Sequence, residues 1–135
     1  MAVIFIDTGA LLARYLANDQ HHKAAMASWD KIRIAREACI TSNFVLDETF
    51  TLLARRASYT FAAEKARIIY ESNALKILRP DSQTELAALD LFEKFADQEI
   101  SFTDCTSFVL MRSTGIRQAF SFDAHFERAG FRKWK

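Results

Sequence analysis

Ala2-Val3-Ile4-Phe5-Ile6-Asp7-Thr8-Gly9-Ala10-Leu11-Leu12 runs five apolar residues without a break into an aspartate, then turns through small and polar residues into a new apolar pattern. Such a run suits a strand covered on both faces, as in a parallel sheet flanked by helices. Asp7 then stands at the carboxyl end of a central strand, the edge of an open α/β sheet where ligands and chemistry collect. A competing role is local. Asp and Thr are both good helix N-caps, so Asp7 can simply start the next helix. Whether other carboxylates come to meet Asp7 separates the two roles.

The 135 residues suit one domain, 1–135, long enough to bury a core without a disulfide or structural metal. Half the residues are apolar and 26% are charged, as in ordinary globular chains. Three glycines and one proline favour long helices, and twelve phenylalanines favour an aromatic core. A net charge of +1 does not announce a nucleic-acid binder, although a basic rim around an acidic pocket is compatible with it. Cys39 and Cys105 stand apart in apolar settings and read as buried free thiols. No charged leader precedes an apolar stretch, and no apolar run approaches membrane-spanning length. The expectation is a cytoplasmic protein with no membrane partner.

Past Asp7, helices are expected over Thr8–Leu16 and Gln20–Arg36, with His21 and His22 as solvated first-turn residues. Cys39-Ile40 reads as a short strand, entered from Ala38, and Thr41-Ser42 offer a cap for a helix from Asn43 to Ala57. Val45, Glu48 and Leu52 fall at i, i+3 and i+7 on that helix, so Glu48 shares an apolar stripe while Asp47 falls on the polar face. An inward carboxylate costs several kcal/mol unless a cation meets it, either an arginine or a metal ion. A helix over Tyr59–Asn73 carries Phe61, Ala62, Ala66, Ile69 and Tyr70 at its apolar positions. Leu75–Leu78 is a strand stopped by Pro80. The following helix, Asp81–Asp97, places Leu86, Leu89, Phe92 and Phe95 at helical spacing, with its acids on a solvated face.

The helix opening near Ile100-Ser101-Phe102-Thr103-Asp104 places Asp104, Ser107, Phe108 and Met111 on one face. A first-turn aspartate also complements the helix dipole, which is the simpler role for Asp104. Ala119–Phe122 is a strand followed by Asp123, repeating the opening pattern. A short helix over Ala124–Ala129 and an edge strand over Phe131–Trp134 close the chain. This order describes a three-layer α/β/α sandwich with a mostly parallel sheet of four or five strands.

Asp7 and Asp123 thus follow strand ends, and Glu48 and Asp104 face inward from helices. With parallel strands all four can converge, and four carboxylates in one pocket repel without a counter-charge. Hard divalent cations with oxygen ligands, Mg²⁺ or Mn²⁺, answer that need. No Cys/His cluster has the spacing of a zinc site. Such cations orient and activate water against a phosphodiester.

The chain resembles the PIN-domain ribonucleases, and most closely the VapC-type toxins of bacterial toxin–antitoxin pairs. The resemblance rests on Phe5-Ile6-Asp7-Thr8, Thr41-Ser42-Asn43-Phe44-Val45-Leu46-Asp47-Glu48-Thr49, Ser101-Phe102-Thr103-Asp104-Cys105-Thr106-Ser107 and Phe120-Ser121-Phe122-Asp123-Ala124-His125-Phe126, in that order along the whole chain. It implies that Asp7, Glu48, Asp104 and Asp123 form the catalytic and metal-binding site. It also implies Mg²⁺ or Mn²⁺ dependence and endonucleolytic cleavage of RNA, with Thr8 and Ser107 supporting the site as hydroxyl groups behind the ligands. On this pattern Asp7, Glu48 and Asp104 carry a first cation, and Asp123 positions a second cation or the attacking water. Position 107 is serine where many relatives carry a further acid, and Glu127, one turn beyond Asp123, can substitute for it. A cognate antitoxin and a homodimer through the aromatic-rich helices are further expectations of the resemblance.

His125, two residues past Asp123, can contact phosphate, but surface packing is its simpler role. Arg14, Lys23, Arg55, Arg56 and Arg112 are candidates for a basic rim that contacts RNA backbone. A phosphatase pattern with a second aspartate two residues after the first fails at Gly9. The alternative from another class is a non-catalytic module of the same fold, acting through protein or RNA contacts. Four intact inward acids argue against it, because a dead site has no reason to keep buried charge.

Overall fold

Val3–Ile6 form β1, with Ile4, Phe5 and Ile6 fully buried, as an unbroken apolar run requires of a central strand. The computed structural model describes residues 2–134. It places β1 at the middle of a five-stranded sheet of order β3-β2-β1-β4-β5, in which β2 is Ala38–Ser42, β3 Leu75–Leu78, β4 Gln118–Phe120 and β5 Arg132–Lys133. Every ladder is parallel, and β1 pairs with β2 through Phe5 and Ile40 and with β4 through Phe5 and Ala119. All five strands therefore present their carboxyl ends along one edge.

Helices α1 (Thr8–Tyr15), α2 (His22–Ala35), α3 (Asn43–Arg56), α4 (Tyr59–Glu71), α5 (Ser82–Lys94), α6 (Phe102–Thr114) and α7 (His125–Arg128) flank the sheet and make an α/β sandwich. Their starts follow local chemistry. Ser42, Ser58, Asp81 and Ser101 each accept a hydrogen bond from a backbone N–H in the first turn of the helix that follows, as good N-caps do. Gly115 ends α6 with φ 74°, a left-handed conformation that glycine adopts freely. The main core lies on β1, where the Phe126 ring tilts against Phe5 and in turn meets Phe108 and Phe131, with Met111 in the same cluster. Cys39 and Cys105 are free and buried.

Several expectations shift. β2 is longer than Cys39-Ile40 and includes Thr41 and Ser42, because Thr41 and Ser42 pair with Ile77 and Leu78 of β3. β4 stops at Phe120, since Ser121 turns its hydroxyl to side-chain and backbone partners rather than continuing the ladder. The long helix expected over Asp81–Asp97 is α5 followed by a separate 3-10 turn, Ala96–Gln98. Its apolar stripe also turns outward. Leu86, Leu89 and Phe92 are 62%, 42% and 43% exposed, while Ala88 is fully buried. The small Ala88 lets α5 approach the body of the protein closely, and Leu91 and Phe95 pack against the core. Tyr70, expected inward on α4, is exposed and meets Phe50 only edge-on.

His21 and His22 are not free surface residues either. His22 Nδ1 lies 2.6 Å from the carbonyl oxygen of Ala13, and the His21 ring stacks on Phe122 at a centroid distance of 4.3 Å. Both lie in the turn that brings α2 back onto α1, where Trp29 Nε1 also donates to Ala10 O. Among the described residues, no helix is long and apolar enough to cross a membrane.

Candidate active site

Backbone placement comes first. Asp7 directly follows β1, and its N–H donates to Phe120 O, which extends the β1–β4 ladder by one residue past the strand. The neighbouring Ile6 carbonyl accepts the buried Thr41 hydroxyl at 2.7 Å, tying β2 to the same edge. Asp7 occupies the N-cap position of α1, but its side chain makes no capping hydrogen bond there. Thr8 is the first helical residue rather than the cap, and its buried Oγ1 has no hydrogen-bond partner. Glu48 comes from the second turn of α3, half-buried on the apolar stripe, while Asp47 is exposed. Asp104 sits in the first turn of α6, where its N–H donates to the Ser101 hydroxyl at 3.1 Å. Asp123 follows the end of β4 by three residues, in the Ser121–Ala124 turn that leads into α7.

These four acids line one cavity of about 400 Å³, together with Thr8, Gly9, Glu99, Ser101, Phe122 and His125. Glu127 does not line it. Ser107 lies deeper, and its hydroxyl donates back to Thr103 O at 3.0 Å, within its own helix. Among the described residues, no lysine or arginine lines the cavity. Glu48 therefore lacks the arginine partner that would have explained an inward carboxylate structurally.

None of the rim candidates Arg14, Lys23, Arg55, Arg56 and Arg112 lines this cavity. Arg14 sits over the Trp29 ring at 4.6 Å, Arg56 pairs with Asp19 at 3.5 Å, and Arg112 donates to Ala129 O at 3.1 Å. Arg14 instead lines a second cavity of about 750 Å³, walled by Leu11, Tyr15, Met26, Trp29, Ile68 and Ile69, with Arg33 and Arg36 at its margin.

Three residues, two lining the cavity and one behind it, escaped the sequence reading of the site. Ser121 is buried. It donates to Asp7 Oδ2 at 2.8 Å and accepts from the Asp123 N–H at 3.0 Å, so one hydroxyl ties two of the acids together. The available signal was a small hydroxyl residue between two phenylalanines, two residues before the aspartate. His125 was read as surface packing, but its Nδ1 lies 3.2 Å from Asp104 Oδ2 and 3.1 Å from Asp123 Oδ1. Glu99 brings a fifth carboxylate to the cavity wall from a left-handed backbone position, φ 54°.

Electrostatics set the character of the site. Burial, and then repulsion from Asp104, pushes the Asp7 carboxyl up to about 7, against the opposing hydrogen bond from Ser121. Burial is also the main cause that raises Asp104 to about 6. Asp123 and Glu48 add to the rise, and the hydrogen bond and charge of His125 oppose it. Both groups thus ionise less readily than a free carboxyl, and positive charge nearby would favour their ionised forms. A hard divalent cation fits this donor set. The cavity offers carboxylate oxygens, and Thr8, which also lines it, has a buried Oγ1 with no hydrogen-bond partner. Oxygen atoms of Asp104 and Asp123 and a ring nitrogen of His125 lie within 4.8 Å of one another, the span of a coordination shell. Such a centre can hold a cation against a phosphate and activate water.

Comparison with known proteins agrees with this geometry. The PIN domain family model matches residues 4–132. The chain is 36% identical over 129 residues to the 23S rRNA-specific endonuclease VapC20 of Mycobacterium tuberculosis, covering 96% of this chain and 95% of that one. The crystal structure of Mycobacterium tuberculosis VapC20, described as a Sarcin-Ricin loop cleaving toxin, superposes with a TM-score of 0.84 at 34% identity over 95% of each chain. VapBC2 from Rickettsia felis, solved bound to a DNA fragment from its promoter, shares the fold alone, with a TM-score of 0.71 at 11% identity over 98% of this chain and 99% of that one. With an all-parallel sheet that gathers Asp7, Glu48, Asp104 and Asp123 at its carboxyl edge, this chain belongs to the PIN domain family.

Proposed function

We propose that this protein is a divalent-metal-dependent endoribonuclease that hydrolyses RNA phosphodiester bonds, the toxin of a toxin–antitoxin pair. The observation that carries the reading is the convergence of Asp7, Glu48, Asp104 and Asp123 on one cavity that, among the described residues, no lysine or arginine lines. Kinship with a 23S rRNA-specific endonuclease supports RNA, and ribosomal RNA in particular, as the substrate. An anionic phosphodiester cannot enter an uncompensated cluster of carboxylates, so substrate binding requires a cation.

Asp7, Glu48 and Asp104 hold that cation, Mg²⁺ or Mn²⁺, and Asp123 holds a second one or orients the attacking water. When bound, the cation supplies a Lewis acid that lowers the pKa of water and offsets charge developing on the phosphate. The chain supplies position. Ser121 fixes Asp7 Oδ2 and, through the Asp123 N–H, the turn that carries Asp123. Ser101 fixes the first turn that carries Asp104. No side chain need act as a covalent nucleophile.

The test is cleavage of RNA by the purified chain. Cutting is expected with Mg²⁺ or Mn²⁺, to cease in excess chelator, and to fall more than about 100-fold in a folded Asp7→Asn variant. Undiminished cutting by that variant contradicts the assignment. If millimolar Mn²⁺ leaves the melting temperature unchanged, a non-catalytic binding module becomes the better account.

The toxin role and its partners rest on kinship. The apolar 750 Å³ cavity with arginines at its margin is the surface we assign to a cognate antitoxin, and the exposed Leu86, Leu89 and Phe92 face of α5 is the surface for a homodimer. Growth arrest on expression, relieved by Asp7→Asn and by co-expression of a short neighbouring reading frame, is the expected result. Harmless expression of an active enzyme contradicts the toxin role.

A further inference from the structure

We infer that His125 is a nitrogen ligand of the cation held between Asp104 and Asp123, and that it biases this site toward Mn²⁺ over Mg²⁺. The inference rests on the metal-dependent reading of the cavity and adds a ligand outside the four carboxylates. Nδ1 of His125 lies 3.2 Å from Asp104 Oδ2 and 3.1 Å from Asp123 Oδ1. Neighbouring ligands of an octahedral ion with bonds of about 2.1 Å stand about 3.0 Å apart, so both separations match edges of one coordination shell. The imidazole is held for the purpose. Its backbone N–H donates to Asp123 Oδ1 at 2.9 Å, and Phe126, the next residue, is buried against Phe5 and Phe108.

In the metal-free protein an Nδ1–H can donate to Asp104 Oδ2 while Asp123 Oδ1 accepts the His125 backbone N–H. With the proton on the other ring nitrogen, Nδ1 presents a lone pair beside the same two carboxylate oxygens, a donor set that a cation can bridge. Mn²⁺ and Mg²⁺ both favour oxygen ligands, but Mg²⁺ keeps to oxygen and water more strictly than the transition ion Mn²⁺, which accepts an imidazole nitrogen more readily. The carboxylates alone therefore serve both ions, and His125 adds affinity chiefly for Mn²⁺.

The test reads metal binding directly. Pulsed EPR of Mn²⁺ bound to the full chain is expected to show coupling to a ligating ¹⁴N, which disappears in His125→Ala and persists in His21→Ala and His22→Ala. Calorimetry is expected to show Mn²⁺ affinity falling at least tenfold in His125→Ala while Mg²⁺ affinity changes less than threefold. Bound Mn²⁺ without nitrogen coupling, or equal losses for both ions, overturns the ligand assignment and leaves the nuclease reading standing. Failure of Mn²⁺ to bind the wild-type chain at all overturns both.

Discussion

Asp7 is at once the most constrained and the least comfortable residue of this protein. It sits at the end of the central strand with 5% of its surface exposed, and its carboxyl is raised from 3.8 to about 7 by burial and by Asp104. A raised carboxyl means that the folded chain keeps protons which the unfolded chain has released. The metal-free protein is therefore expected to hold its full stability from these groups below pH about 4 and to lose it as pH rises through about 6 and 7, the Asp104 and Asp7 values. Thermal melts from pH 4 to 8 in chelator check this, and an upward trend contradicts it. For the same reason Asp7→Asn is expected to stabilise the metal-free protein at pH 8 by up to about 4 kcal/mol while abolishing cleavage, at 1.4 kcal/mol for each unit of the shift from 3.8 to about 7. Ser121 is a positioning residue for this carboxylate. Ser121→Ala is expected to lower both kcat and Mn²⁺ affinity by about 10-fold or more, and Ser121→Thr, which keeps the hydroxyl, to recover most of both. Equal losses in the two variants indicate a packing role instead.

Elements carry the acids by their ends, and those ends were the legible part of the sequence. Apolar run followed by aspartate located β1 with Asp7 and β4 with Asp123, and helical spacing located Glu48 on the buried side of α3. The same spacing misled on α5, because periodicity finds a stripe without saying whether the body of the protein or solvent receives it. There the buried contact falls on Ala88, a residue with too little apolar signal to announce itself. His125 and Ser121 escaped because their roles depend on α6 and β1, which are distant in sequence and adjacent only through the β1–β4 pairing. Asp7 does occupy the cap position of α1, but its side chain makes no capping hydrogen bond there, and Thr8 follows as the first helical residue on the cavity wall. Ser101 is the cap that holds Asp104. Ser101→Ala is expected to destabilise the fold by about 1 kcal/mol in denaturant melts, and Ser101→Asp, also a good cap, to restore much of it. No loss in Ser101→Ala shows that the cap does not hold α6 in solution.

For the whole molecule, parallel topology does the concentrating. β1 lies between β2 and β4, so the turns and helices that follow these strands converge on one edge, and Asp104 arrives there from the start of α6. The outcome is a folded scaffold under electrostatic load at neutral pH, which a divalent cation relieves. Millimolar Mn²⁺ at pH 8 is accordingly expected to raise the melting temperature by several degrees, and by much less at pH 5, where protons already neutralise Asp7 and Asp104. A shift independent of pH places the binding elsewhere. The central claim, that these four acids build a metal centre, is tested most directly by an anomalous difference map from Mn²⁺-soaked crystals. The account predicts a peak about 2.0–2.3 Å from carboxylate oxygens of Asp7, Glu48 and Asp104, with Asp123 touching it, a second peak or a bridging water. A cavity without a peak, or manganese bound only away from these carboxylates, would contradict it.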